Sequence, residues 1–416
     1  MMKFISSTAQ IQSALACLCI AASLFGVTQA QAETVQTVRI AVAHYSDQTL
    51  PYFQKMAKEF NKTNPGITIK IEEVNWDNLQ QKLQTDISSG TNPDLSIVGT
   101  RWLLDLVKDD VLEPLAGHMT APFKDRFIGE FLNSGNINGQ VYGLPIAASA
   151  RGLYYNKIML KNAGFPNGPK TWDDVFAASK KIKANGAYGF GLQGKEIETE
   201  VYWFYALWSQ GGTIIDANGK AVFDSAAGIK AASMYKELIN QGLTQPGVTS
   251  YSREDVQNLF KQGRVAMVIT APFLAKQIQK ENPALQYGVT AVPGDVASAT
   301  YATTDSLVMF KNSKVKAAAW KFADFLFSKA PRVTFTSSEG FLPTTKEEAS
   351  DPVFADDVTK EFIGFLPTAK FPPVIAGWED LSKILSNALQ SIYLGKTKPD
   401  VALKAAAAQT NHVLKK

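Results

Sequence analysis

The stretch from Thr37 to Gly99 restricts the fold of this chain more than any other. It alternates two hydrophobic periods, one near 2 and one near 3.6. TVRIAVAHY places Val38, Ile40 and Val42 on one face of a strand. PYFQKMAKEFNKTNPG spaces Phe53, Met56, Ala57 and Phe60 as on a helix, with Pro51 suited to its first turn and Asn64-Pro65-Gly66 ending it. ITIKIEEV alternates Ile67, Ile69 and Ile71. DNLQQKLQTDI is helical through Leu79, Leu83 and Ile87, with Asp77 as the expected N-cap, and PDLSIVG is a third strand. Strand, helix, strand, helix, strand in this order means parallel pairing through right-handed crossovers, and therefore an α/β lobe.

The order changes at NGQVYGLPIAASARGLYYN, where a Gly-containing turn feeds an extended segment and another strand. KTWDDVFAASKKIKANG opens with Thr171 and Asp174 in capping-box spacing and carries Val175, Phe176 and Ile182 on an apolar face. AYGFGLQ, VYWFYALWSQGG and VFDSAAGIKAASMYKELINQGL continue a second α/β region. RVAMVITAPF, YGVTAVPG and TYATTDSLVMF add strands before the helix KVKAAAWKFADFLFS, and the last forty or so residues read as helical. A chain of 416 residues with 45% apolar content is long enough for two such lobes and for cores that need no crosslink.

The N-terminus reads as an export signal. Lys3 supplies the positive region, Ala14 to Val27 an apolar stretch too short to span a bilayer, and Ala30-Gln31-Ala32 a small-x-small cleavage pattern. Cleavage near Ala32 places the mature protein outside the cytoplasm, in the periplasm. Residues 14–16 make a poor lipoprotein box before Cys17, so lipid anchoring is disfavoured. Both cysteines, Cys17 and Cys19, fall inside this signal. The expected mature chain therefore has no thiol for a disulfide, an iron–sulfur cluster, Cys-ligated zinc or nucleophilic catalysis. The net charge of +4 is small, and the lysines are scattered, which argues against nucleic-acid binding.

Catalytic and cofactor patterns are sparse. Gly395-Lys396-Thr397 resembles the end of a phosphate loop, but Gln390 stands where the first glycine is required. There is no Gly-x-Ser-x-Gly elbow. His44, His118 and His412 show no metal-ligand spacing. Asp109-Asp110 and Asp173-Asp174 are neighbours whose side chains diverge, so neither forms an acid/base couple. No cofactor is expected. Aromatic residues instead gather near strand ends and loops, among them Tyr45, Trp76, Trp102, Tyr154, Tyr155, Tyr202, Trp203, Phe273 and Trp378. Such faces stack on the C–H faces of pyranose rings, though core packing accounts equally well for any one of them.

In order and spacing, FNKTNPGITIKIEEVNWDNLQQKL, SSGTNPDLSIVGTRWL, VYGLPIAASARGLYYNK, AGFPNGPKTWDDV, FKQGRVAMVITAPF, YATTDSLVMF, GFLPT and FPPVIAGWEDLSKIL run through nearly the whole mature chain. The chain resembles the extracellular solute-binding proteins of ABC importers, family 1, the maltose-binding-like group that carries sugars. The resemblance implies an α/β, two-lobed periplasmic-binding-protein fold of type II, a Venus flytrap with two or three hinge crossings. The crossings are expected near Leu144–Ala148, Ala299–Thr303 and Gly340–Thr344. The first lobe would comprise residues 33–143 and 303–342, and the second 144–302 and 343–416. It further implies a monomer that takes a small carbohydrate between its lobes and hands it to an inner-membrane permease, with no bond made or broken.

Carried over position by position, the resemblance implies a ligand site. His44, Tyr45 and Asp47 match the loop after the first strand, and Trp76 the family's Trp-Asp element. Thr100 and Arg101 end the PDL strand. Ser149 lies just past a hinge. Tyr202 and Trp203 fall in the aromatic stretch. Phe273 stands in Ala-Pro-Phe, where Gly-Pro-Trp is common, and Asp305 where a Gly-Gly pair is common. Trp378 matches a stacking tryptophan before a helix. Arg101 is expected to face the cleft. It would hold an anionic group, such as a uronate, sulfonate or phosphate-bearing sugar, or it would pair with Asp305 or Asp47 and leave the ligand neutral. A surface-facing Arg101 is the third option. Two other functions stay open: an exported carbohydrate-active enzyme, which needs a carboxylate pair, and a binding protein for a non-sugar such as a polyol, a polyamine or a glycerol phosphate ester.

Overall fold

A computed structural model describes residues 35–414 apart from 196, 197 and 374. The export signal expected over residues 1–32 lies outside the described residues. The N-terminal alternation forms as read: β1 (Gln36–Ala43), α1 (Thr49–Thr63), β2 (Ile67–Val74), α2 (Trp76–Ser89) and β3 (Leu95–Gly99). Val38, Ile40 and Val42 are buried, and so are Ala41 and Ala43, because β1 is sandwiched on both faces. Ile69 and Ile71 are only half-buried because β2 is the edge strand. The start of α2 differs from expectation. Its N-cap is Asn75, with extended backbone, and Asp77 lies inside the first turn.

The chain continues through α3 (Leu103–Lys108), β4 (Gly143–Ser149), β5 (Gly152–Asn156), α4 (Trp172–Ala184), β6 (Tyr188–Phe190), α5 (Thr199–Ser209), α6 (Arg253–Lys261), β7 (Val265–Thr270), β8 (Tyr287–Thr290), β9 (Thr303–Met309), α7 (Lys329–Glu339) and α8 (Trp378–Tyr393). The Thr171–Asp174 capping box forms at the start of α4, each residue satisfying an otherwise orphaned backbone N–H. Two sheets result. The first has the order β2-β1-β3-β9-β4 and the second β8-β5-β7-β6. In the first, β1 pairs parallel with β2 and β3, while β9 runs antiparallel between β3 and β4. Each sheet has its own large apolar core, one around Phe53, Ile97, Phe322 and Phe335, the other around Trp172, Phe190, Tyr235 and Leu385. The fold is the two-lobed α/β architecture expected.

The first crossing lies past Ser149 and not within Leu144–Ala148 as expected, and the segments that pass between the sheets hold one another. Residues 150 and 151 join β4 to β5. Thr300–Tyr301 precede β9, and the Thr300 hydroxyl accepts from the Arg151 N–H at 2.9 Å and donates to its carbonyl at 2.5 Å. At the third, the Leu342 N–H donates to the Ala148 carbonyl at 2.9 Å. All of β4 pairs in the first sheet, so the first-sheet strands reach Ser149 and not only residue 143.

Candidate functional site

The topology gathers one set of side chains at one edge of the first sheet. The carboxyl ends of β1, β2 and β3 deliver Tyr45, Trp76 and Arg101. Because β9 is antiparallel, its first residues lie at that same edge, with Asp305 opposite Gly99 and Thr303 opposite Ser149, the last residue of β4. This is the edge at which open α/β sheets bind ligands. The Tyr45 hydroxyl donates to Asp305 Oδ2 at 2.9 Å. Its ring meets Phe341 at 4.9 Å and Trp76 at 5.7 Å, and Trp76 meets Trp102 edge-on at 5.7 Å. Beneath them runs a buried hydroxyl chain: Thr304 donates to Thr100 at 2.9 Å, Thr100 meets Ser306 at 2.7 Å, and Thr304 meets Ser134 at 2.8 Å.

The second sheet contributes from the other side. Arg151, just before β5, donates to the Ser149 hydroxyl at 2.6 Å and lies over the Tyr301 ring. Trp208 stacks on Tyr301 at 6.1 Å and on Phe204 at 5.5 Å, and Phe204 reaches Trp378 at 6.1 Å. The Arg253 guanidinium lies over Phe273 and pairs with Glu198 at 2.9 Å. The two sides meet at Glu379, the second residue of α8. Its Oε1 accepts from Arg101 Nε at 2.7 Å and from Trp102 Nε1 at 2.8 Å. Next to this contact, burial raises the Asp105 carboxyl above its ordinary range, and the Gly377 backbone N–H opposes that shift.

Burial sets the protonation of this region. It pushes the Asp305 carboxyl up to about 7, although the Tyr45 hydroxyl, Arg101 and Arg151 all favour the anion. Glu200 is also pushed up to about 7 by burial, against hydrogen bonds from Ser382 and Ser386. Glu198 goes the other way. Burial opposes its charge, but Arg253, Arg151 and Arg101 together hold it below the usual carboxylate range.

Residues 46–332 match the family model described as bacterial extracellular solute-binding protein. The chain belongs to this family. As a solute-binding protein it has a relative in Brucella abortus (strain 2308), a protein named for a binding role. The two are 55% identical over 384 residues, covering 91% of this chain and 93% of the relative. A solute-binding protein from Thermotoga lettingae TMO, solved with α-D-tagatose bound, superposes with a TM-score of 0.83 at 28% identity, covering 91% of this chain and 100% of its own. The maltose-bound MalE3 of T. maritima has the same fold, with a TM-score of 0.83 at 24% identity, 91% of this chain and 100% of its own being covered.

Seen on this solute-binding scaffold, the site residues read from the sequence divide into groups. Tyr45, Trp76, Thr100, Arg101, Ser149 and Asp305 converge. Phe273 lies beside them, under Arg253. Trp378 is fully packed into the second core and reaches the group through Phe204. Tyr202 and Trp203 do not join it. All of α5 is buried, so its aromatics point into the core on every side; the Tyr202 hydroxyl donates to the Ile269 carbonyl at 2.6 Å, and Trp203 packs edge-on against Phe223. Trp208, farther along α5, is the aromatic residue there that reaches Tyr301. Tyr154 and Tyr155 are core residues too. His44 turns to Glu73, its Nδ1 3.2 Å from Oε1, and Asp47 is exposed. The expected pairing of Arg101 with Asp305 or Asp47 is not what forms. Tyr45 takes an Asp305 oxygen, and Glu379 arrives from α8 to meet Arg101.

Glu379, Arg151, Glu198, Tyr301 and Trp208 escaped the sequence reading. Three of them stood inside or beside the matching stretches: Arg151 in AASARG, Tyr301 at the head of YATTDS, and Glu379 directly after Trp378. For Arg151, a charge set into the apolar run around AASARGL was a signal that could have found it; Tyr301 and Glu379 stand in polar stretches that carry none.

Proposed function

We propose that this solute-binding protein captures a carbohydrate between its lobes and delivers it to the membrane permease of an ABC importer, binding it without turnover. One observation carries this reading: aromatic faces and fixed hydrogen-bonding groups converge from both sheets at the carboxyl ends of the first-sheet strands. Tyr45 and Trp76 stand on one side and Tyr301, backed by the buried Trp208, on the other, with Asp305, Arg101 and Glu379 between them. Ring faces suit sugar C–H faces, and carboxylates and guanidiniums suit hydroxyls. Specificity follows because a wrong hydroxyl pattern leaves buried polar groups unpaired. The relative solved with α-D-tagatose supports a sugar as the class of ligand. An anionic sugar is the less favoured version, since Arg101 already carries a carboxylate.

The lobe bounds read from the sequence, residues 33–143 and 303–342 for the first and 144–302 and 343–416 for the second, are proposed with one change: the first lobe extends through Ser149, because β4 pairs in the first sheet. Export, with cleavage near Ala32, belongs to the same reading. A thermal-shift screen of mono- and oligosaccharides tests it, because a ligand that binds only the folded state raises Tm. A sugar that raises Tm and is recovered unchanged supports capture. A rise confined to polyamines or glycerol phosphate esters replaces the ligand class, and conversion of the sugar replaces binding with catalysis.

A further inference from the structure

Arg101 is the group best placed to draw an anion into the cleft, and it is already engaged. It lies two residues past the end of β3 with its side chain 20% exposed, and a guanidinium is a planar fork of five donors. Its Nε is committed to Glu379 Oε1 at 2.7 Å. That oxygen is fixed by a second donor from the same side, Trp102 Nε1 at 2.8 Å. The carboxylate is also held from its own side. Trp378, the residue before Glu379, is fully packed into the second core.

The other guanidiniums are similarly engaged. Arg253 meets Glu198 at 2.9 Å and Glu254 at 2.7 Å, and Arg151 lies 3.9 Å from the other oxygen of Glu198. Three guanidiniums thus face three carboxylates, and Asp305 and Glu200 add two further carboxyl groups. Lys370 lies outside these pairs on an exposed strand, its ammonium over the Trp208 ring, where solvent screens it.

We infer that Glu379 determines the charge of the ligand: by pairing with Arg101 it makes the cleft selective for uncharged sugars and rejects sugar carboxylates. The inference rests on the reading of the cleft as a carbohydrate site. A sugar hydroxyl both donates and accepts, so a preformed carboxylate–guanidinium pair offers matching partners to a neutral diol. A carboxylate on the ligand only accepts. It would meet Glu379 as a like charge and would lose its own hydration without gaining an unpaired cation. Selection comes from the repulsive element as much as from the attractive one.

The test uses matched probes: glucose with glucuronate, galactose with galacturonate, and cellobiose with cellobiouronate. Their binding to the full exported protein is followed by thermal shift and calorimetry. For the wild type, a neutral member binds and its uronate binds at least about tenfold more weakly. Glu379→Gln keeps the shape and the acceptor for Arg101 and Trp102 but removes the charge, and it narrows or reverses that ratio. A wild-type protein that binds a uronate as tightly as its neutral partner overturns the inference and leaves the carbohydrate reading standing. An unchanged ratio in a folded Glu379→Gln protein, checked by circular dichroism, also overturns it. If no sugar of either kind binds the wild type, the carbohydrate reading fails and takes this inference with it. Should Glu379→Gln not fold, Glu379→Ser repeats the variant arm and the wild-type ratio stands on its own.

Discussion

Arg332 and Glu348 face each other at 3.3 Å with both side chains fully buried. Arg332, on α7, also donates to the Ile146 carbonyl at 2.6 Å and to the Thr336 hydroxyl at 2.9 Å. Glu348 accepts from the Thr344 and Thr345 N–H groups at 2.9 and 3.1 Å. The pair therefore ties β4, the strand that leads into the crossing at residues 150 and 151, to the crossing segment that follows Leu342. Removing one partner leaves a buried charge uncompensated, which costs about 3–5 kcal/mol. Glu348→Ala and Arg332→Ala are each expected to lower the unfolding free energy by that order in urea titrations. The double change Arg332→Met/Glu348→Leu should cost less than either single change. Single variants within about 1 kcal/mol of wild type would show that water or rearrangement compensates the charge.

Gly340 caps α7 with φ +75°, a left-handed conformation. A Cβ there would lie 3.0 Å from Phe273 Cα, on the segment following β7 of the second sheet. Gly340→Ala therefore combines left-handed strain of about 1–2 kcal/mol with a wedge between the two halves. The expected result is a lower Tm together with weaker ligand binding. A variant with a lowered Tm and unchanged affinity would confine the effect to the helix cap.

Asp305 and Glu200 give stability a distinctive pH dependence. Burial raises both in the folded state to about 7, against ordinary values of 3.8 and 4.5. Between roughly pH 4 and 7 the folded chain then binds more protons at these groups than the unfolded chain, so their contribution to stability falls as pH rises through that window. Asp305→Asn and Glu200→Gln remove the titration and keep the shape. Relative to wild type, each variant is expected to gain stability as pH increases from 4.5 to 7.5. Unfolding curves that stay parallel across this range would show that the two carboxyls ionise normally.

The fold was readable because the segment from Thr37 to Gly99, and later capping signals, obey local rules. Alternation in β1 and β2, helical spacing in α1 and α2, and the Thr171–Asp174 box all act over a few residues, and the parallel crossovers follow from them. The edge at which Tyr45, Trp76 and Arg101 emerge follows as well. Asp305 is harder, because its place opposite Gly99 depends on a strand inserted some two hundred residues later. The α5 aromatics misled for a related reason. Tyr202, Trp203 and Trp208 are chemically alike, and only the packing of a fully buried helix decides that Trp208 alone reaches Tyr301. Glu379 meets Arg101 across 278 residues. No local pattern announces a charge pair between two lobes, and the nearer carboxylates, Asp47 and Asp305, were the natural but mistaken partners.

The contact around Glu379 also bears on closure, since Arg101 and Trp102 belong to the first lobe and α8 packs on the second core. A partly exposed ion pair of this kind contributes about 1 kcal/mol, enough to move a balance between open and closed forms several-fold. Glu379→Ala removes the acceptor from both donors at once. The ligand-free variant is expected to show a larger radius of gyration in small-angle scattering than the wild type, and to bind a neutral sugar more weakly by the fraction of closed form lost. Raising the salt concentration should expand the wild type in the same direction and leave the variant unmoved, because only the wild type has the pair to screen. Equal radii for the two proteins at low salt would mean that the lobes are held by other contacts, and that Glu379 acts on the ligand alone.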